Sequence, residues 1–277
     1  MDKAAVFRTI AADLASGKAS FPASAQVAMK VRKALEDPEC PLETAVKLVQ
    51  AEPVLAARVV AMANSPSYNP YGREFTDVRT SMQRLGFGTV RTLASAIVTR
   101  QLAGGGARNQ RLVSQLWEHC ARVAALARVI AQRVTHVDAE TAMFAGLVHE
   151  VGGFYMLSRA AEFPGLIDGS SEAWVENGEA EVGRAVLQFL QVPPTVREAI
   201  ESYWSGYLEL PPRTLGDTLL LADALSPVAS PLRDPETREA PSPLSADIDV
   251  ALGEETLAGI LKESMEEVDA LTGALSF

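Results

Sequence analysis

Apolar residues recur at three- and four-residue steps along most of the chain, a spacing typical of amphipathic α-helices. Three early runs show it most clearly: Val27, Val31 and Leu35; Leu42, Val46 and Val49; and Leu55, Val59 and Met62. Prolines divide these runs, and proline is well suited to the first turn of a helix. No alternating strand pattern of useful length occurs. The sequence therefore predicts an all-α fold.

The same period predicts further helices on both sides of a glycine-rich boundary. Their expected ranges are 77–85, 89–102, 110–133, 138–150, 179–190, 194–203 and 215–225. Three consecutive glycines at 104–106 favour a flexible joint. We therefore expect an N-terminal helical subdomain over 1–107 and a second helical subdomain over 108–277. Within the second, five prolines in 226–245 predict a surface loop, and 254–271 predicts an amphipathic C-terminal helix.

Composition places the chain among ordinary globular proteins. It has 277 residues, of which 48% are hydrophobic and 22% are charged. No run approaches the 18 apolar residues of a membrane-spanning helix, and the first residues lack the apolar stretch of a signal peptide. The two cysteines, Cys40 and Cys120, exclude a disulfide scaffold or a cysteine-based zinc module. We expect a soluble, cytoplasmic protein.

The net charge of −10 is distributed unevenly along the chain. Residues 1–133 hold 18 basic and 10 acidic side chains, whereas the remainder holds 7 and 25. This asymmetry indicates either two units with different partners or two halves that attract each other. The basic residues are scattered and few aromatics lie among them, so the pattern does not favour nucleic-acid binding.

The three histidines of the chain include two in positions where they could bind a metal. His119 shares a helix face with Val123, and His149 ends an apolar helix just before Glu150. If the histidines face each other, they could hold a divalent ion, with Asp223 from a later helix as a further ligand. The alternative is a buried polar cluster whose members satisfy each other's hydrogen bonds without a metal.

These residues also carry a resemblance. Trp117-x-His119, the segment from Gly146 to Gly152 and Ala222-Asp223 resemble the HD superfamily of metal-dependent phosphohydrolases. Segments of the N-terminal half are similar, in order and spacing, to the HDOD family, a non-catalytic relative of the HD-GYP enzymes found in bacterial signalling proteins. These segments are Phe21-Pro22-Ala23, Asp37-Pro38, the block from Glu52 to Ser65, the block from Ser81 to Gly86, and Val90 to Leu93.

The departures from an active HD site bear on mechanism. Glu150 stands where the enzymes have aspartate, and its extra methylene displaces the carboxylate from a metal's ligand shell. Gly153 stands where a basic residue is common, and the stretches 179–183 and 201–204 lack the later histidines of HD-GYP enzymes. A second metal, and the two-metal chemistry that needs it, is therefore not expected. The resemblance implies no required cofactor and at most one divalent metal on His119, His149, Glu150 and Asp223.

The function implied by the resemblance is a regulatory or scaffolding role without turnover. Its partners would be other signalling proteins, such as those of cyclic-dinucleotide or two-component networks, with no membrane contact. Two alternatives stay open: a mononuclear metal-dependent nucleotide phosphohydrolase, and a nucleotide sensor that binds its ligand in the relict cleft. A polar, aromatic stretch is the candidate partner surface, formed by Asn64, Ser65, Tyr68 and Tyr71.

Overall fold

The computed structural model describes residues 2–16, 23–102, 109–168, 171–233, 259, 261–262 and 265–275. In these ranges the regular structure is entirely helical and contains no strand, which confirms the predicted all-α fold. None of the described helices combines the length and the apolar character that a membrane span requires.

The helices follow one another with short connections. They are α1 (Lys3–Ala15), α2 (Ala23–Ala34), α3 (Leu42–Gln50), α4 (Pro53–Ala63), α5 (Val78–Leu102), α6 (Gln110–Ile130), α7 (Ala139–Val148), α8 (Val151–Arg159), α9 (Glu179–Phe189), α10 (Pro194–Ser205), α11 (Leu215–Leu225) and α12 (Met265–Leu275). Wider π-helical turns extend α6 over Ala131–Thr135 and precede α9 over Trp174–Gly178.

Local sequence chemistry sets several helix ends. The carboxylate of Asp138 accepts a hydrogen bond from the backbone N–H of Thr141 at 2.7 Å and so begins α7. A reciprocal capping box between Thr214 and Asp217 begins α11, whose bounds are the predicted ones. Gly86 has φ +76° and interrupts α5, at the glycine turn where the sequence predicts two helices.

Helices α1 and α8 were not among the predicted elements. The first turn of α8 contains Gly152 and Gly153, which disfavour a helix by local propensity. Tertiary packing explains the exception, because a Cβ atom on Gly152 would lie 2.8 Å from the Cα atom of Gly183 in α9. Helix α1 packs on α9, and its Phe7 meets Trp174 edge to face with ring centroids 5.4 Å apart.

The packing crosses the predicted division between the subdomains. Helix α1 contacts α8 and α9, and α12 contacts α4 as well as α6. The buried apolar residues of the described chain form one continuous cluster from Phe7 to Ala274. The glycines at 104–106 lie outside the described residues, so the boundary near residue 107 stays a prediction. The first residues of the predicted helix over 254–271 also lie outside them, and that part of the helix stays a prediction.

The basic first half and the acidic second half attract each other within one molecule. Arg122 Nη1 lies 2.5 Å from Asp269 Oδ1, and Arg128 Nη1 lies 2.8 Å from Glu267 Oε1. Arg128 Nε also lies 3.2 Å from Glu140 Oε1. Basic residues of the first half and acidic residues of the second therefore pair α6 with α7 and α12 within the molecule.

Helices α6 and α7 approach each other so closely that one contact requires glycine. A Cβ atom on Gly146 would lie 2.5 Å from the Cα atom and 2.8 Å from the backbone nitrogen of Ala124. Backbone atoms cannot move aside as the end of a side chain can. The distance between these helices therefore depends on residue 146 being glycine.

We expect Gly146→Ala to lower the free energy of unfolding by about 1–3 kcal/mol, because the added methyl group forces α6 and α7 apart. The measurement is urea unfolding followed by circular dichroism. Gly88→Ala is the matched control, since a Cβ atom there meets nothing within 4 Å. Because Gly88 lies within a helix, the control is expected to be neutral or stabilising by about 0.5–1 kcal/mol. Equal effects of the two substitutions would contradict this account.

Candidate metal centre

Three side chains from three helices converge at the centre of the second half of the chain. His119 lies on α6, His149 caps the end of α7, and Asp223 lies in the last turn of α11. The two Nε2 atoms are 3.3 Å apart, and Asp223 Oδ1 lies 3.4 Å from Nε2 of His119. Both histidines are buried, whereas 18% of the Asp223 side chain is exposed.

Backbone carbonyls fix which ring nitrogen of each histidine carries the proton. Nδ1 of His119 donates to the carbonyl of Val228 at 2.8 Å, and Nδ1 of His149 donates to the carbonyl of Gly146 at 2.8 Å. In the neutral rings, both Nε2 atoms then present lone pairs to each other. Two acceptors at this distance require a cation or a proton between them.

The convergent atoms fit a single divalent cation. Ligands about 2.0–2.1 Å from a tetrahedral ion lie about 3.3 Å from one another, which matches both distances from His119 Nε2. Two imidazole nitrogens and one carboxylate oxygen suit zinc and related metals. Hydrogen bonds that hold Nδ1 are also the usual outer support of metal-binding histidines. The metal-free alternative is a hydrogen-bonded cluster in which Nε2 of one of the two rings is the donor.

Burial keeps His149 in the form that binds metal. Loss of solvent and, to a smaller extent, the neighbouring His119 lower the pKa of its imidazole, to about 4 once all its neighbours act. The carboxylates of Glu150 and Asp223 act in the opposite direction but do not offset burial. His149 is therefore neutral near pH 7, with its Nε2 lone pair free for a cation.

Tyr203 of α10 supports this group, although the sequence analysis did not select it. Its hydroxyl donates to Oδ2 of Asp223 at 3.2 Å, and its ring packs edge-on against His149 with centroids 5.3 Å apart. Burial raises the pKa of Tyr203 well above its usual value, so the hydroxyl remains a donor. A single tyrosine has no diagnostic spacing, and Val228 contributes only a backbone carbonyl, so neither leaves a signal in the sequence.

Glu150, the fourth predicted ligand, stands apart from the convergent group. The mutually close ligand atoms belong to His119, His149 and Asp223 alone among the described residues. Glu150 occupies the turn that begins α8 and is almost completely buried. Neither of its carboxylate oxygens has a hydrogen-bond partner within the described chain. The structure thus brings together three of the four predicted residues and places the fourth beside them.

A cleft of about 740 Å³ opens beside Asp223. Its ionisable lining consists of Glu176, Glu179, Arg184, Glu201, Tyr203, Asp223 and Arg233. Arg233 Nη2 donates to both carboxylate oxygens of Glu179, at 2.7 and 3.0 Å, and Arg184 forms a two-bonded pair with Glu201 at 2.6 and 2.7 Å. Each of the two arginines that line this cleft therefore forms a two-bonded pair with a glutamate.

The family of the chain follows from its sequence. The family model of the HDOD domain matches residues 21–205, which is more than half of the chain. The chain belongs to the HDOD domain family. This match covers His119 and His149 and ends before Asp223. A search among curated proteins finds none that matches.

Solved structures share the fold of this HDOD chain at low sequence identity. A "Putative metal-dependent phosphohydrolase" from Shewanella amazonensis SB2B is 20% identical with a TM-score of 0.76, covering 99% of this chain and 100% of that one. An HDOD domain protein with unknown function from Geobacter sulfurreducens is 21% identical with a TM-score of 0.64, covering 98% and 97%. A "Putative signal transduction protein" from Marinobacter aquaeolei VT8 is 21% identical with a TM-score of 0.58, covering 94% and 60%. At these identities the likeness shows the fold alone.

Two residues of the predicted partner surface lie inside the HDOD fold. Ser65 is buried, and its hydroxyl donates to the carbonyl of Met62 at 2.8 Å. Tyr68 is only 8% exposed, and its hydroxyl donates to the carboxylate of Glu140 at 2.6 Å. The bond of Tyr68 to Glu140 joins residues 72 positions apart, whereas that of Ser65 is local, to the last turn of α4. Neither side chain has the exposure that contact with a partner needs.

The other two residues shape an exposed loop. Asn64 holds both polar backbone groups of Phe75, accepting from its N–H at 2.9 Å and donating to its carbonyl at 2.7 Å. Tyr71, near the tip of this loop, is 94% exposed. The partner surface predicted from the sequence is thus reduced to Tyr71 on a loop that Asn64 holds, and its role stays a prediction.

We expect the titration of His149 to affect the stability of the metal-free chain. The unfolded histidine takes up its proton near pH 6.5, whereas the folded one does so near pH 4. The folded state therefore binds fewer protons in this interval, and as the pH falls from 6.5 to 4 the contribution of His149 drops by up to about 3 kcal/mol.

The measurement is urea unfolding with chelator at several pH values, for the wild type and His149→Gln. The stability difference between them should narrow as the pH falls. Comparing the two also removes the opposing effect of Glu179, whose pKa burial raises to about 7. His136→Asn, at an exposed histidine, is the control substitution. A wild-type advantage over His149→Gln that is independent of pH would contradict the assignment.

We expect Tyr203→Phe to weaken Zn²⁺ binding about 10- to 100-fold, because Asp223 loses the hydroxyl that orients it. The measurement is calorimetric titration of Zn²⁺ into the chelator-treated protein. Tyr207→Phe is the matched control, because Tyr207 is largely exposed. If both variants bound Zn²⁺ with the same dissociation constant, Tyr203 would have no role in orienting Asp223.

Proposed function

We propose that this chain is a non-catalytic regulatory or scaffolding HDOD protein of bacterial signal transduction, acting in the cytoplasm through contacts with other signalling proteins. The observation that carries the proposal is the electrostatic state of the cleft. Arg184 and Arg233 each pair with a glutamate, so every arginine of the described lining would have to give up an ion pair to bind a phosphate group through the same nitrogens. Phosphoryl chemistry needs cationic groups aimed at the charge that develops in the transition state.

The convergent ligand group supports a structural role for one metal. His119, His149 and Asp223 would hold it, and a bound divalent ion would supply Lewis acidity at that point. In this proposal the ion instead ties α6, α7 and α11 together, since metal-binding free energy adds to the stability of the folded state. Glu150, outside the group, leaves the site without the carboxylate of an intact His-Asp doublet.

One observation favours a second candidate, a mononuclear metal-dependent nucleotide phosphohydrolase. The distances from Nε2 of His119 to His149 and to Asp223 suit a single metal, and the cleft reaches Asp223. The Shewanella neighbour bears the name of a metal-dependent phosphohydrolase, which concerns that protein alone. The two candidates differ in whether a metal-loaded chain turns over a substrate.

The test is metal content together with turnover. We expect protein purified without chelator or nickel resin to bind about one divalent ion per chain, by elemental analysis and Zn²⁺ or Mn²⁺ titration. We expect no release of phosphate from a panel of nucleotides and no cleavage of bis(p-nitrophenyl) phosphate. Metal-dependent turnover that disappears in both His149→Ala and Asp223→Asn would overturn the proposal.

Two companion measurements refine the test. In Glu150→Asp, metal affinity should rise without turnover, because the shorter side chain restores the His-Asp doublet but leaves both cleft arginines paired. A thermal-shift panel of nucleotides separates the sensor alternative, since a ligand at 100 times its Kd adds about 2.7 kcal/mol of stability. We expect no nucleotide to produce such a shift. A clear shift without turnover would replace scaffolding with nucleotide sensing.

A further inference from the structure

Helix α12 covers a groove that belongs to the first half of the chain. It packs on α6 and α4, and it lies beyond residue 205, where the HDOD match ends. Its own apolar strip is narrow: Val268, Leu271 and Ala274 are buried, whereas Met265 and Glu266 are exposed. This is the pattern of an amphipathic helix laid into a groove.

Arginines of the groove meet the polar groups of α12 along its length. Arg128 pairs with Glu267 at 2.8 Å, and Arg122 pairs with Asp269 at 2.5 Å. Near the end of α12, Arg58 Nη1 donates to the carbonyl of Ala274 at 3.3 Å. A cation at the C-terminal end of a helix is favoured by the helix dipole. The charges of groove and helix are therefore complementary in sign and in order.

The most buried of these contacts also joins α12 to the rest of the fold. Arg128 bonds Glu140 of α7 through Nε and Glu267 through Nη1, and its guanidinium lies 4.8 Å from the ring centroid of Tyr68. An acidic side chain at the position of Glu267 thus completes a network that the groove already presents. A helix that lacked this acid would leave the Nη1 donor of Arg128 without its carboxylate.

Thirty-one residues separate Arg233 from Met265, the first residue of α12. Because α12 belongs to the same chain as the groove, a partner helix competes with an intramolecular helix and must match its contacts.

We propose that the groove between α4 and α6 is a docking surface for an acidic amphipathic helix of a protein partner, and that α12 occupies it as an internal competitor. The partner helix would carry acids at the positions of Glu267 and Asp269 and small or branched apolar residues at those of Val268, Leu271 and Ala274. The inference rests on the proposed function in one respect, because it supplies the surface for the protein contacts.

The test uses the full chain and a fluorescein-labelled peptide of residues 259–277. Glu267→Lys/Asp269→Lys places like charges opposite Arg128 and Arg122 and so weakens α12 in its groove. The matched control is Glu266→Lys/Glu39→Lys, two exposed glutamates that form no ion pair among the described residues. We expect the peptide to bind the first variant at least tenfold more tightly than the wild type or the control, by fluorescence anisotropy.

Hydrogen exchange on the same proteins shows whether α12 leaves the groove while the rest of the fold stays intact. Peptides covering 265–275 should exchange at least tenfold faster in Glu267→Lys/Asp269→Lys, while those covering 116–130 keep their protection. Exchange of α12 only at the rate of that core would show that α12 is a permanent part of the fold and overturn the proposal. Fast exchange of α12 without peptide binding would overturn the docking surface.

A charge exchange provides a second arm. The Arg122→Glu chain should prefer the Asp269→Arg peptide to the wild-type peptide by at least tenfold, because the ion pair is restored in reverse. Equal binding of the two peptides would contradict the proposal. Failure here is distinct from failure of the proposed function, since phosphate release by the wild type would overturn that function and leave the groove result unchanged.

Discussion

The close approach of α6 and α7 is the constraint on which the centre of this protein depends. At Gly146 the two backbones come so near that a Cβ atom would meet Ala124 at 2.5 Å. His119 lies five residues before Ala124 on α6, and His149 lies three residues after Gly146 at the end of α7. The carbonyl of Gly146 also accepts the Nδ1 proton of His149. One glycine therefore sets the helix spacing, and its carbonyl sets the tautomer of a histidine.

The chemistry of the site follows from that arrangement. With both Nδ1 protons held by carbonyls, the two Nε2 atoms and Asp223 face a common point that favours a cation. The cleft beside them has the opposite character, because its arginines are bound to glutamates. A site that can hold a cation, beside a cleft whose described arginines already pair with glutamates, is suited to binding and structural roles. This contrast is the physical basis of the proposed regulatory function.

The sequence predicted the parts of the structure that depend on local chemistry. Helical periodicity gave the all-α class and the bounds of α11, whose capping box the structure places at Thr214, and Asp138 caps the observed start of α7. Helix α8 was not predicted, because Gly152 and Gly153 disfavour a helix by local propensity. The need for glycine at position 152 is visible only in the structure, where this residue packs against α9. The burial of Tyr68 was not predicted, because its hydroxyl bonds Glu140, which lies 72 residues away in the sequence.

The residues of the site also fall into those that the sequence predicted and those that only the structure reveals. A resemblance of motifs was sufficient to select His119, His149 and Asp223, because those residue types recur in fixed order. It also selected Glu150, whose carboxylate the turn between α7 and α8 leaves outside the ligand group. Tyr203 and the carbonyl of Val228 could not be selected, since a single tyrosine and a backbone oxygen carry no pattern. The groups that orient the three convergent side chains can therefore be identified only from the tertiary structure, even though motifs in the sequence select those side chains.

The most direct test of the central claim is ¹⁵N NMR of the imidazole rings in the chelator-treated protein, before and after addition of one equivalent of Zn²⁺. The account predicts that His119 and His149 carry their protons on Nδ1 in the Zn²⁺-loaded chain, with both Nε2 resonances shifting when the metal is added. Nε2 resonances that do not respond to Zn²⁺, with a proton on Nε2 of either ring, would contradict it. That result would establish a self-satisfied hydrogen-bonded cluster in place of a metal centre.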